Sequence, residues 1–338
     1  MNSIEKELYH VEKMIKADVV KEKSIKEIYK YIFKSDGKKI RARLNLISSS
    51  INRKKKNRIK LAAIIELLHT ATLIHDDVVD DSSFRRGNES VNNIWSNAHG
   101  VLIGDYIYSK AFIYMVDVGK KEILKELSSA TNDISQGELI QLDAINNQEI
   151  TLTKLKRISY FKTGRLFEAA ARTGALLAET KPIYIKNISE CAKNIGILFQ
   201  IKDDLLDYSL SNDIGKPVFQ DLKEGKVTYP FFFAYKNADK NTKKTLSNNL
   251  GNKKANTKDI LKLIQAHGGI SKTEDLAKKF HKNAIISAKK IDNLKIQKEM
   301  IELAQLAYQR EKWHLYRKIV TLKTVSYTHL TLPTMELV

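Results

Sequence analysis

The chain has 338 residues and a formal net charge of +19, from 58 Lys and Arg against 39 Asp and Glu. Its single cysteine, Cys191, excludes an internal disulfide and a thiolate metal site, and no apolar run reaches the ~20 residues that a membrane span needs. Four prolines, none before Pro182, permit long helices and disfavour a fold built from many tight turns.

Apolar residues recur at three- and four-residue spacing through most of the chain, the signature of amphipathic helices. In chain order this predicts helices over 4–33 and 40–51. Another runs from Ile59 through Ala62, Ala63, Leu67, Thr70 and Ala71 into an aspartate cluster. Others follow over 100–117, 122–145, 152–178, 183–209, 227–250, 257–266, 272–291 and 294–311. No strand pattern is visible, so the expectation is an all-α protein, one large helical bundle over residues 1–312. Residues 313–338 lack a helical pattern at their end. They read as an appended extension, non-native or disordered at its end, so deleting 322–338 is expected to leave turnover unchanged. The charged N-terminus has no apolar signal core, and with one cysteine the chain suits the reducing cytoplasm. Lysine–asparagine runs such as "INRKKKNRIK" read as solvated faces.

Two stretches break the basic background. Asp76-Asp77-Val78-Val79-Asp80-Asp81 and Asp203-Asp204-Leu205-Leu206-Asp207 share the form Asp-Asp-x-x-Asp, each at the end of an apolar run. On a helix, positions i and i+4 share a face, so Asp76 pairs with Asp80 and Asp203 with Asp207. Carboxylates so close repel, and a hard divalent cation with oxygen ligands relieves the repulsion. Mg2+ fits best, because it takes one or two carboxylates and completes its octahedron with water and phosphate oxygens. A lone cluster reads more readily as an exposed acidic helix end. Two of them, flanked by Lys38, Arg41, Arg85, Arg86, Lys162, Thr163, Lys216 and Lys226, point to a diphosphate held between metal and cations.

The stretches "DGKKIRAR", "LLHTATLIHDDVVDDSSFRRG", "LIGDYIYSKA", "SQGELIQL", "FKTGRLFEAAARTGA", "FQIKDDLLDY" and "GKPVFQDLKEGKVTYP" occur in an order that resembles the trans-isoprenyl diphosphate synthases, most closely the long-chain, octaprenyl-type branch. The resemblance covers residues 3 to 312. It implies the isoprenoid synthase bundle with a central cavity, a homodimer, and repeated head-to-tail addition of isopentenyl diphosphate to an allylic diphosphate. It implies Mg2+ on Asp76 and Asp80 on one wall and on Asp203 with Asp207 on the other, with Asp77 and Asp204 shaping those sites. Lys38, Arg41, His69 and Arg86 match the isopentenyl diphosphate site. Arg85, Lys162, Thr163, Gln200, Lys216 and Lys226 match the allylic diphosphate site, Lys162 and Lys226 serving catalysis. The released proton goes to the diphosphate, so no protein base is required. Small residues at Ala71 and Thr72, about one turn before Asp76, leave room for a long product, with Phe112 or Tyr114 as a deeper floor. Such a product would feed quinone side chains and bring peripheral membrane contact on release. The chain departs from the family pattern at Phe219, where glycine is usual, and at Ala42, where proline is frequent.

Other readings explain less. A short-chain synthase would carry bulky aromatics near Ala71 and Thr72. A terpene cyclase needs no isopentenyl diphosphate site, and a non-catalytic subunit of a heteromeric synthase would lack aspartates. A phosphohydrolase using His75 and Asp76 leaves the second cluster unexplained. A nucleic-acid binder would place its cations with stacking aromatics instead of beside carboxylates.

Overall fold

The structure is a computed structural model that describes residues 3–17, 19–34, 37–53, 56–85, 87–209 and 219–310. The expected extension at 313–338 lies outside the described residues, as do Arg86 and Lys216.

Helix α1 (Ser3–Ala17) sets Ile4, Leu8, Val11 and Ile15 on one face, and all four are buried. The run predicted over 4–33 is two helices, because α2 (Lys23–Ile32) starts anew from the extended backbone of Glu22. A long-range bond helps end α1: the buried Tyr29 hydroxyl of α2 donates to the Ile15 carbonyl at 2.9 Å, satisfying a carbonyl in α1's last turn. Then come α3 (Ile40–Ser49), a 3-10 turn (Ser50–Asn52) and α4 (Arg58–Val79). The strands β1 (Phe84–Arg85) and β2 (Asn88–Glu89) form an antiparallel pair too short for any sequence period to reveal.

After α5 (Val91–Ile94) come the long α6 (Asn97–Val118) and α7 (Lys121–Leu142). The stretch predicted over 152–178 is α8 (Leu152–Ser159), a π-helical turn (Tyr160–Gly164) and α9 (Arg165–Leu177). Helix α10 (Pro182–Asp207), opened by proline at its first turn, runs 26 residues. Next are α11 (Gln220–Lys223), α12 (Tyr229–Asn237) and α13 (Lys240–Asn249). The helix predicted over 227–250 is thus divided, because Asp239 caps α13 by accepting from the N–H groups of Asn241 and Thr242 at 2.8 and 3.0 Å. The helices α14 (Thr257–Ala266), α15 (Gly269–Lys289) and α16 (Leu294–Tyr308) complete the bundle.

Helix α4 packs against α6 and α3, and α10 against α9 and α15. Their apolar lengths are core, from Leu61 to Ala71 on α4 and from Ile188 to Ile201 on α10. Both helices carry an aspartate cluster at the C-terminal end.

Candidate active site

Helix α4 ends at Val79 with Asp80 as its C-cap, and the Asp80 N–H still bonds the Asp76 carbonyl at 2.8 Å, preserving the i, i+4 relation. Carboxylates at a helix C-terminus oppose its dipole, so this end needs cations. The chain supplies them from afar. Arg85 Nε donates to Asp77 Oδ1 at 2.7 Å, and Lys226 Nζ lies 2.8 Å from both Asp80 Oδ1 and Glu224 Oε2. Burial pushes the Asp76 carboxyl above its ordinary value, Lys162 and Arg85 work against that, and Asp80 and Asp77 add to it.

The same pattern on α10 is used differently. Asp204 is buried and accepts from Gln200 Nε2 at 2.9 Å and from the Tyr229 N–H at 3.2 Å. Burial, with Asp221 nearby, pushes it up to about 8. Asp207 accepts from the N–H groups of Gln220 and Asp221 at 3.0 and 3.2 Å, capping α11. Asp203 pairs with Arg310 Nη1 at 2.5 Å, and the Arg310 guanidinium lies 4.1 Å over the Phe199 ring.

Lys162 and Thr163 sit on the π turn between α8 and α9. Glycines let the neighbouring helices press against it. A β-carbon at Gly137 would come 2.9 Å from the Lys162 nitrogen, and one at Gly196 would come 2.7 Å from the Gly164 α-carbon. Lys162 Nζ donates to Glu138 Oε2 at 2.9 Å and to Gln141 Oε1 at 2.8 Å. Burial works to lower its pKa, but Glu138 and Asp76 outweigh that and raise it, keeping Lys162 cationic. Thr163 Oγ1 donates to Gln200 Oε1 at 2.6 Å, linking the π turn to α10. Glu138 and Gln141 belong to this site although sequence reasoning assigned them nothing. The available signal was the glycine preceding Glu138 in "SQGELIQL", with Glu138 and Gln141 three apart on one helix face.

The remaining candidates fall into a second group. Arg41 Nη1 and His69 Nε2 are 3.0 Å apart, and the Arg41 guanidinium lies 4.6 Å over the Phe167 ring. Lys38 is half-buried just before α3. His75 faces away from the carboxylates: Nε2 lies 3.4 Å from Asp105 Oδ1 and 3.2 Å from the Val101 carbonyl, against Gly104 of α6. That takes the His75 imidazole out of a metal pairing with Asp76. Ala71 is fully buried, while Thr72 is half-buried and donates to the His69 carbonyl at 2.9 Å. Phe112 packs on Tyr108 with ring centroids 5.0 Å apart, whereas Tyr114 lies under Lys60 in the first turn of α4, far from Asp76.

A cleft is lined by Gln141, Lys162, Gln200, Asp204, Lys226 and Tyr229, among others. Around it the donor set suits a hard cation. All the cluster ligands are carboxylate oxygens, and both clusters sit at the electronegative ends of helices. Among the described residues no three His, Cys, Asp or Glu side chains form a ready-made metal cage. A cation bound by one or two carboxylates and completed by substrate oxygens fits this arrangement.

Phe219, where glycine was expected, keeps the left-handed backbone that a glycine would supply, with φ +59 and ψ +28. Its ring is fully buried, 5.2 Å from the Tyr208 ring, and this burial offsets the strain.

The match to known proteins covers the region that carries this geometry. The family model "Polyprenyl synthetase" matches residues 22–267. The chain is 35% identical to octaprenyl diphosphate synthase of Escherichia coli, over 85% of this chain and 90% of that one. A crystal structure of a decaprenyl diphosphate synthase from Rhodobacter capsulatus superposes with a TM-score of 0.86 at 29% identity, covering 91% of this chain and 97% of that one. A polyprenyl synthase from Caulobacter crescentus, solved with calcium and isoprenyl diphosphate, gives a TM-score of 0.86 at 28% identity, covering 90% and 95%. The chain belongs to the polyprenyl synthetase family and is a trans-prenyltransferase of the long-chain kind.

Proposed function

We propose that the chain builds an all-trans polyprenyl diphosphate near octaprenyl length by Mg2+-dependent, repeated head-to-tail addition of isopentenyl diphosphate to an allylic diphosphate, farnesyl diphosphate being the expected primer. The observation that carries the reading is Lys226. It follows the acidic end of α10 in the chain, bonds Asp80 at the end of α4 at 2.8 Å, and lines the same cleft as Asp204 of α10, which supports a site shared by the two helices.

In this reading Asp76, Asp80 and Asp203 hold Mg2+, with Asp207 behind Asp203 and Asp77 and Asp204 as supports. Bound Mg2+ supplies positive charge at the diphosphate oxygens. Lys162, Thr163, Gln200 and Lys226, with Arg85 and Lys216, grip the allylic diphosphate. As its C1–O bond breaks, the lysines stabilise charge growing on the leaving group. Lys38, Arg41, His69 and Arg86 hold isopentenyl diphosphate so that its double bond attacks C1 of the allylic cation. The new C–C bond forms, and the proton shed from C2 of the isopentenyl unit passes to an oxygen of the released diphosphate. Asp204, tied to Gln200 and the Tyr229 N–H, is not poised as a base.

Incubating the protein with Mg2+, farnesyl diphosphate and labelled isopentenyl diphosphate should give a product of about eight isoprene units. No incorporation by folded protein, or a product that stops at three or four units, would overturn the reading. Thr72→Phe should shorten the product. Ala71→Phe should do the same but also lose stability, because Ala71 is fully buried and overpacking costs about 1–3 kcal/mol.

A homodimer in the cytoplasm, supplying quinone side chains, completes the reading. Supporting the dimer, α6 exposes Leu102, Ile113 and Val116, an apolar face that a second copy would cover. Supporting a reducing compartment, Cys191 is buried and unpaired.

A further inference from the structure

The segment that carries Lys38 and Arg41 has an unusual backbone. Lys39, the N-cap of α3, adopts φ 46 and ψ 39, a left-handed conformation disfavoured for any residue with a β-carbon, so its surroundings must hold it. Helix α1 contributes to that hold through ion pairs. Lys39 Nζ donates to Glu12 Oε2 at 2.9 Å, and Arg43 Nη2 lies 2.6 Å from Glu5 Oε1. Glu5 and Glu12 are seven residues apart and share a face of α1, while Lys39 and Arg43 are four apart at the start of α3. The two bridges therefore bracket Arg41, which turns instead to His69 at 3.0 Å. Partial burial works to raise the Glu12 carboxyl, but Lys16 and Lys39 hold it down at about 2.

Helix α1 lies outside residues 22–267, the span that the family model matches. Its glutamates, being anions, offer nothing directly to a diphosphate. They act through the cations they hold.

We propose that α1 is a positioning element for the isopentenyl diphosphate site: Glu12 through Lys39, and Glu5 through Arg43, fix the backbone that aims Lys38 and Arg41. This rests on the proposed function and deepens it. The same helix supplies an internal control. Glu7 pairs with Arg58, which also donates to Ser49 Oγ at 2.9 Å and the Leu46 carbonyl at 2.8 Å, at the far end of α3. Glu7→Gln therefore loosens α1 without touching the cradle.

The test is steady-state kinetics on the full chain, varying each diphosphate separately, together with thermal melts. Glu12→Gln should raise KM for isopentenyl diphosphate about five- to twentyfold, with kcat and KM for the allylic diphosphate within about twofold of wild type. Glu7→Gln should lower Tm and leave both KM values unchanged. The charge swap Glu12→Lys with Lys39→Glu should bring KM back toward wild type. An unchanged or lower KM in Glu12→Gln, an equal rise for both substrates, or the same rise in Glu7→Gln would overturn the proposal. Lys38→Ala separates the two levels. If it raises KM for isopentenyl diphosphate while Glu12→Gln is silent, only this inference fails. If Lys38→Ala is itself silent, the site assignment beneath it fails too.

Discussion

The two acidic helix ends share the pattern Asp-Asp-x-x-Asp yet are used differently. At the end of α4, Asp77 meets Arg85, Asp80 meets Lys226, and Asp76 lies in the field of Lys162. At the end of α10, Asp204 is buried among neutral donors, Asp207 caps a short helix, and among the described residues Asp203 pairs with Arg310. Three carboxylates in one cluster are offset by cations, whereas two of three in the other are built into the scaffold. The lesson is that a motif's letters set what can bind a cation, and its neighbours decide which letters are spent on folding.

Substitutions at the two helix ends test that contrast. The largest effect is expected at the charged positions. Asp76→Asn, Asp80→Asn and Asp203→Asn should each lower turnover on the order of 10²–10³-fold with the fold intact by circular dichroism. Asp207→Asn should cost no more than about tenfold, its main loss being the cap on α11. Equal losses across both clusters would erase the difference between them.

Next in size is Asp204. Asp204→Leu strands the Gln200 amide and the Tyr229 N–H, at about 1–3 kcal/mol each, whereas Asp204→Asn retains one acceptor and should cost about half as much. Urea unfolding of both variants measures this, and a Leu variant as stable as wild type would show that Asp204 is not a scaffold residue. Phe219→Gly removes the left-handed strain, roughly 1–2 kcal/mol, but gives up ring burial of roughly 1.5–3 kcal/mol, so a small net destabilisation is expected.

The smallest effect is the acid limb of stability. Glu12 sits at about 2 in the fold against an ordinary 4.5, so its contribution is full above about 4.5 and fades as pH falls toward about 2. Tm against pH should flatten over that window in Glu12→Gln. An unaltered slope would mean that neither the Lys16 nor the Lys39 pair of Glu12 is formed in solution.

Much of the fold was legible, because long proline-free runs with helical apolar spacing leave little alternative to a bundle. The helix breaks were not. Tyr29, fourteen residues away from Ile15, helps to end α1, and a cap at Asp239 divides α12 from α13. Within the site, the aspartates and most cations were legible as types in a pattern. The partition of Asp204 and Asp207 into the scaffold was not, since it depends on backbone N–H groups from Tyr229, Gln220 and Asp221 that spacing does not reveal. Glu138 escaped notice because its role exists only once the π turn swings Lys162 toward α7.

The central claim is that the two acidic ends act on one diphosphate. Calorimetry of inorganic pyrophosphate binding in the presence of Mg2+, with wild type, Asp80→Asn, Asp203→Asn and the double variant, tests it directly. Each single variant should lose most of the Mg2+-dependent affinity, and the double variant should be little worse than either. Independent, multiplying losses, or near-normal binding by one single variant, would contradict it.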